Sequence, residues 1–259
     1  MIRFKNYVKA ENLEEAFELN QKKSSVIGGG MMWLKVQNRI RMTLVDISGL
    51  GLDGIEETKE EFSIGAMCSL RQLETHEGLN ECFNGIFKEC TRSIVGVQFR
   101  NGATVGGSVF GRFGFSDIIT CLLALDTHVE LYRGGLVPLE EFCRMKSDRD
   151  ILVRIHVKKD GRKAAYVSQR ISKTDFPLIA CCAARNEGKI YISIGARPGR
   201  AELTVFEDLQ NYNNKEETAK KAADHFRYGT NLRGSGDYRR HLAEIYIKRL
   251  LEALEKEER

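Results

Sequence analysis

Apolar side chains first recur at helical spacing in the segment NLEEAFELNQKK, where Leu13, Ala16, Phe17 and Leu19 form one apolar side. Asn12 stands at the cap position with Glu15 three residues on, the arrangement of a capping box. The spacing then changes. SSVI (24–27) reads as a short strand running into three glycines, and MTLVDIS (42–48) as a second strand rich in β-branched residues. A strand, helix, strand order within about fifty residues predicts a small α/β unit with a parallel pair.

A similar pattern follows. EEFSIGAMCSLRQLETHEGL predicts a strand, a turn at Gly65 and a helix capped by Ser69, and LNECFNGIFKECTR keeps apolar residues at roughly helical spacing. The segment VQFRNGATVGGSVFGRFGFSD (97–117) is glycine-rich and reads as irregular, with a strand-like stretch ahead of its Gly-Gly pair. DIITCLLAL reads as a helix feeding the alternating strand HVELY, and GGLVPLEEF and DILVRIHVK follow. From about Lys163 to Glu202 the pattern is that of antiparallel strands, in AAYVSQRIS, PLIACCAAR and KIYISIGA. The end is helical, through KEETAKKAADHF and DYRRHLAEIYIKRLLEALEKEER. The polar break KKDGRK places a boundary near residues 157–163.

Composition narrows the function classes. The chain has 259 residues, 42% hydrophobic and 29% charged, enough for one large domain or two of ordinary size. Its net charge of +4 comes from cations interspersed with nearly as many acids. That argues against a nucleic-acid binder but not against binding one anionic small molecule. No run of about 18 apolar residues occurs, so no membrane span is expected. The amino end lacks the apolar core of a signal peptide. Seven cysteines are scattered without a Cys-x-x-Cys, which fits the reduced thiols of a cytoplasmic protein and offers no cluster for structural zinc or iron–sulfur. The five histidines form no metal-type pair. The chemistry therefore falls to something organic.

Two glycine clusters are the candidate site. VIGGGMMWLK (26–35) and ATVGGS (103–108) are each read as following a strand, where exposed N–H groups form concave anion sites and glycine lets an oxygen approach. Thr104, Ser108 and Ser116 are candidate hydroxyl donors. A pyrophosphate held between two such loops is one reading, and ordinary hairpins or bulges are the other. There is no Gly-Lys-Ser/Thr of a P-loop, no Gly-x-Gly-x-x-Gly opening a helix, no Gly-x-Ser-x-Gly and no His-Glu-x-x-His.

Three stretches, in order across nearly the whole chain, carry a family resemblance: IGGGMMWL (27–34), TVGGSVFGRFGFSDIITCLLALD (104–126) and RGSGDYRR (233–240). They resemble the FAD-binding subunit of molybdenum hydroxylases, the medium chain of the xanthine dehydrogenase and carbon monoxide dehydrogenase type. The resemblance implies an α+β protein. A vanillyl-alcohol-oxidase-like (PCMH-type) FAD-binding domain would span residues 1–157, as two α/β subdomains of about 1–55 and 56–157. A C-terminal domain of antiparallel sheet plus helices would span 158–259. It further implies that Gly28, Gly29, Gly30, Met31, Met32 and Trp33 wrap the FAD pyrophosphate with backbone amides, with Ile27 also among the cofactor-binding residues. Ala103, Thr104, Gly106, Gly107 and Ser108 would complete the cradle, with Ser116 adding a hydroxyl. Asp117 matches the acid that contacts the ribityl or nucleotide portion, and Leu152 an apolar contact to the ring system or adenine.

The sequence departs from the family at several points. Gly30 stands where a Thr or Ser is usual, and GRFGFSD replaces a His-Ala-Asp-Pro, so that Phe110, Phe113 and Phe115 either line the flavin or pack in the core. Tyr166 takes the place of an aromatic that normally precedes a Lys near the flavin, and Arg170, the nearest cation, is carried over to that cofactor-binding role. RGSGDYRR also reads simply as Ser235 or Asp237 capping a helix with its arginines solvated. The implied function is an electron-transfer subunit that passes electrons from iron–sulfur centres through FAD to NAD. A small 2Fe–2S subunit and a large molybdopterin subunit would be its partners, and a purine or other N-heterocycle the substrate oxidised on the latter. No acid or base need come from this chain, because the cofactor carries the chemistry. A self-contained FAD reductase of the same fold and a non-catalytic nucleotide-binding assembly subunit are the rival readings.

Overall fold

Asn12 caps the first helix as its position predicts: its Oδ1 accepts the N–H of Glu15 at 2.9 Å, while the Glu15 carboxylate reaches back to the N–H of Glu11 at 2.8 Å. The computed structural model describes residues 1–207 and 214–256. Helix α1 (Leu13–Gln21) packs on a three-stranded parallel sheet of β1 (Arg3–Lys9), β2 (Ser25–Gly28) and β3 (Ile40–Asp46), in the order β1-β3-β2. Val45 stands opposite both Val8 and Ile27, and Val45 and Ala16 are fully buried between sheet and helix. Strand β1 carries no clear sequence signal. Its apolar Phe4 and Val8 alternate with the exposed Arg3, Lys5 and Lys9, and pairing to β3 supplies what the pattern lacks.

The second sheet is antiparallel, ordered β4-β5-β8-β6-β7, from β4 (Ile55–Glu57), β5 (Glu61–Gly65), β6 (Thr127–Leu131), β7 (Gly135–Pro138) and β8 (Leu152–Lys158). Between β5 and β6 run six short helices: α2 (Leu70–Thr75), α3 (Glu77–Cys82), α4 (Ile86–Thr91), α5 (Val97–Gly102), α6 (Val105–Phe110) and α7 (Asp117–Leu123). Helix α8 (Leu139–Arg144) precedes β8. Ser69 and Gln72 close a full capping box on α2. The segment read as irregular, with a strand before its Gly-Gly pair, holds α5 and α6 instead. Glycine masks the helical signal there, and long-range bonds supply the order. Val105 N–H donates to Cys68 O at 2.8 Å and Gly106 N–H to Ala66 O at 2.9 Å. A buried two-pronged pair, Arg100 on Glu74 at 2.8 and 3.1 Å, ties α5 to α2.

The third sheet is antiparallel, ordered β12-β11-β10-β9, from β9 (Lys163–Gln169), β10 (Ile179–Asn186), β11 (Lys189–Gly195) and β12 (Glu202–Phe206). Alternation along β10 sends Cys181 and Ala183 toward α9 (Lys215–His225) and α10 (Gly236–Lys256), and Cys182 and Ala184 into the core shared with α4 and α7. One core therefore runs from Phe62 through Ile155 to Ala201, joining residues on both sides of position 157. Ser235 caps α10, its Oγ accepting the Tyr238 N–H at 3.2 Å. The arginines of RGSGDYRR are not all solvated: Arg239 is 1% exposed and donates to the carbonyls of Leu178 and Ala196. Burial of this guanidinium is tolerated because carbonyls of the loops flanking the sheet converge on it. Residues 257–259 of the expected terminal helix lie outside the described residues. Among the described residues no helix is long and apolar enough to cross a membrane.

Candidate functional site

The first glycine cluster leaves β2 and turns at Met31, a non-glycine residue held at φ 59°, before a single helical turn at Leu34–Val36. A left-handed conformation at a methionine is uncommon and marks a turn its surroundings enforce. Backbone bonds from Lys35 N–H to Met31 O at 2.9 Å and from Gln37 N–H to Leu34 O at 3.0 Å close the turn. Among the described residues the N–H groups of Gly29 through Trp33 donate to no protein acceptor. Five consecutive unsatisfied donors form one wall of a cleft of about 500 Å³.

The opposite wall is the junction of α5 and α6. Leu70 N–H to Ala103 O and Val105 N–H to Cys68 O, both 2.8 Å, clamp it to the start of α2. Thr104 caps α6, its Oγ1 accepting Gly107 N–H at 3.2 Å, and its own hydroxyl proton has no acceptor among the described residues. Gly106, Gly107 and Ser108 were expected to offer amides, and these prove committed: Gly106 to Ala66 O, Gly107 to Thr104 Oγ1 and Ser108 to Thr104 O. They form the first turn of a helix rather than an open loop. Ser108 and Ser116 also spend their hydroxyl protons on backbone carbonyls.

The glycines answer two different needs. A Cβ on Gly30 would stand 1.7 Å from the Gly102 carbonyl oxygen, and one on Gly106 2.5 Å from that of Ala66, so these two permit backbone to pack on backbone. Gly29 and Gly107 face each other across Thr104. Their Cβ atoms would meet only its Oγ1, at 3.1 and 3.0 Å, and would project into the cleft wall. Gly28 is the exception among the residues predicted for the site. It is buried at the end of β2, beside Leu44, and does not line the cleft.

A third wall comes from the start of α7 and the end of β9. The Asp117 carboxylate is buried, accepts the Tyr166 hydroxyl and lies 2.6 Å from Arg170 Nη2. Burial pushes this carboxyl up, against the opposing pull of Arg170 and Tyr166. Burial likewise raises the Tyr166 phenol well above its ordinary range. Arg170 Nη1 donates to Asp175 O at 2.6 Å, while its Nε is buried with no partner. Ile27, Ile47, Met67 and Leu152 supply an apolar lining, and Phe110 lies beside them. At the mouth, Phe113 and Phe115 stack at 5.2 Å, with Trp33 and Phe176 edge-on to Phe115 at 6.0 and 4.6 Å.

Ile27, Gly29 to Trp33, Ala103, Thr104, Gly106 to Ser108, Phe110, Ser116, Asp117, Leu152 and Arg170 thus line one cleft. Sequence reasoning missed Thr174, Asp175, Phe176 and Pro177, whose loop carries no motif, and the Ser93–Val95 turn. Among the described residues no group of three or more His, Cys, Asp or Glu is placed to hold a metal ion. Free amides, one free hydroxyl and an unpartnered guanidinium nitrogen around an apolar cavity suit an elongated ligand with an anionic segment and a flat apolar one.

Residues 2–157 match the family model described as the FAD binding domain in molybdopterin dehydrogenase. The chain is 30% identical over 147 residues to the 6-hydroxypseudooxynicotine dehydrogenase complex subunit alpha of Paenarthrobacter nicotinovorans, covering 52% of this chain and 49% of that protein. It therefore spans about half the length of that relative. It is 23% identical over 182 residues to the uncharacterized protein YgfM of Escherichia coli, covering 69% and 68%. A carbon monoxide dehydrogenase chain of Hydrogenophaga pseudoflava superimposes with a TM-score of 0.84 at 21% identity, covering 98% of each chain. A chain of quinoline 2-oxidoreductase from Pseudomonas putida superimposes with a TM-score of 0.81 at 19% identity, covering 97% of this chain and 96% of that one. At such identities the structural matches establish the fold.

Proposed function

Because the chain belongs to the family of FAD-binding domains of molybdopterin dehydrogenases, we propose that it is the electron-transfer flavoprotein subunit of a xanthine dehydrogenase-like hydroxylase with NAD as electron acceptor. FAD is the cofactor of that family, and in this reading the chain is one subunit of a multi-subunit molybdenum hydroxylase. In this reading a small 2Fe–2S subunit delivers electrons, and a large molybdopterin subunit oxidises a purine or other N-heterocycle. Residues 1–157 serve as the FAD-binding domain and residues 158–259 as a C-terminal flavoprotein domain.

What supports the reading is the set of free donors and apolar side chains that the cleft brings together. The amides of Gly29 to Trp33 and the Thr104 hydroxyl would hold the diphosphate, and the bare faces of Gly29 and Gly107 would admit it. Asp117 and Arg170 would position the polar edge of the cofactor, with the unpartnered Arg170 Nε as donor. Ile27, Met67 and Leu152 would exclude water from the flat portion. When bound, the flavin supplies the exchange between one-electron and two-electron transfer.

A self-contained reductase would need a proton donor of its own, and the cleft's carboxylates are all engaged. Asp117 is held by Tyr166 and Arg170, Asp150 by the amides of Gly134 and Ile151, and Asp175 by Phe176 N–H and Arg233. The test is spectroscopic. The purified chain should carry flavin absorbance that NADH bleaches, and should co-purify with chains containing iron and molybdenum. A colourless chain overturns the cofactor site, an unbleached one the NAD assignment, and the absence of iron and molybdenum the electron-transfer role.

A further inference from the structure

The parallel sheet β1-β3-β2 is covered on one side only. Parallel sheets almost always have both faces buried. Here α1 covers the face that carries Val45 and Ile27. The strand registers put Arg3, Tyr7 and Lys9 opposite Ile40, Leu44 and Asp46, and Val26 opposite Leu44, all on the other side. Alternation adds Lys5 and Met42 to that side. Tyr7 is 61% exposed, Ile40 69% and Met42 41%, so three large apolar side chains stand exposed on this one face.

We propose that this face is the seat of an acidic protein subunit of the complex, an inference that rests on the reading of the chain as one subunit of several. Charge points to the occupant. Arg3, Lys5 and Lys9 run along β1, and Asp46 on the same face already accepts the Tyr7 hydroxyl at 2.5 Å and the Ser48 N–H at 2.8 Å. A second copy of this chain would set the same cations against themselves, which like-charge juxtaposition disfavours. Lysines on an edge strand by themselves guard against sheet-to-sheet pairing, but the exposed Tyr7, Ile40 and Met42 beside them work against that purpose. These side chains are also fixed on paired strands, unlike those of an amphipathic helix that inserts into lipid. An apolar centre with a charged rim is the anatomy of a protein interface. The position matters, because β2 runs directly into the Gly29–Trp33 loop, so a subunit seated here braces the strand that carries one wall of the cleft.

Hydroxyl-radical footprinting of the isolated chain and of the purified complex tests this. Tyr7 and Met42 should be oxidised readily in the free chain and several-fold more slowly in the complex. The double variant Arg3→Glu/Lys5→Glu should keep its flavin absorbance and melting temperature and lose assembly by about tenfold or more, and salt should weaken wild-type assembly. Unchanged oxidation of Tyr7 and Met42 in an intact complex overturns the inference and leaves the subunit reading standing. Protection of Met42 by self-association in sedimentation, or by vesicles of phosphatidylglycerol, overturns it in favour of another occupant. If no iron- or molybdenum-containing chain associates with the wild type, the subunit reading fails first.

Discussion

Gly30 and Gly102 meet backbone to backbone: a Cβ on Gly30 would lie 1.7 Å from the Gly102 carbonyl oxygen. The two walls of the cleft are thereby held in direct contact through a position where any side chain is excluded. Gly30→Ala should push them apart, lower stability by roughly 1–3 kcal/mol as overpacking does, and abolish flavin retention. Gly29→Ala meets only the movable Thr104 hydroxyl, at 3.1 Å, and should fold normally with weakened flavin binding. Thermal melts alongside flavin absorbance separate the two effects; equal melting temperatures would refute the distinction.

Arg170 and Asp117 form a buried pair, each holding the other in place. Arg170→Met should cost about 3–5 kcal/mol, because Asp117 is left buried without its cation. The double variant Arg170→Met/Asp117→Asn should recover part of that stability in denaturant titrations while remaining without flavin. Recovery of flavin binding in the double variant would show that neither residue touches the cofactor.

The Glu74–Arg100 pair predicts an acid limit to stability. Burial raises the Glu74 carboxyl, but Arg100 and Arg71 outweigh it and hold it below its ordinary value of 4.5. A lowered folded-state value means that the stabilisation is fully present above that ordinary value and is lost as pH falls through the folded one. Arg100 Nη1 also donates to Ile94 O at 3.1 Å, in the turn that lines the cleft, so flavin release should accompany the loss. Glu74→Gln should be less stable at neutral pH and show a shallower acid-dependent decline in urea titrations as pH falls below that ordinary value, the remaining decline coming from Glu61, Asp46 and Asp175, which are also held low.

Trp33 is the only tryptophan of the chain and lines the cleft mouth against Phe113 and Phe176, at 6.1 and 5.7 Å. Adding FAD to the apoprotein should quench its fluorescence to saturation, and the quench should vanish in Gly29→Val. Quenching that persists without flavin retention would place the nucleotide elsewhere.

Much of this architecture was legible in the sequence wherever a local pattern decided the outcome. The Asn12 and Ser69 caps, the β-branched run of β3 and the apolar faces of α7 and α10 each follow from residues close together in the chain. The glycine clusters were legible as sites of close approach, and Gly29 to Trp33 form the wall they suggest. What approaches them was only half right, since at Gly30 and Gly106 the neighbour is the protein's own backbone.

The rest depended on partners distant in sequence. Strand β1 exists because β3 pairs with it across 37 residues of chain, as in Arg3 with Ile40. Helix α6 forms because the Cys68 and Ala66 carbonyls organise a glycine-rich segment with little propensity of its own, and α5 is tied down by Arg100 on Glu74. Arg170 is a candidate only through the resemblance until folding brings Asp117 to it, and Arg239 reads as solvated until the carbonyls of Leu178 and Ala196 close around it. A sequence by itself determines what each residue prefers among its near neighbours: spacing, caps and the places where a side chain is missing. Which amides remain free, which charges are buried and which loops share a cleft is decided only when remote segments meet, because burial and hydrogen-bond satisfaction belong to pairs of surfaces and not to either one alone.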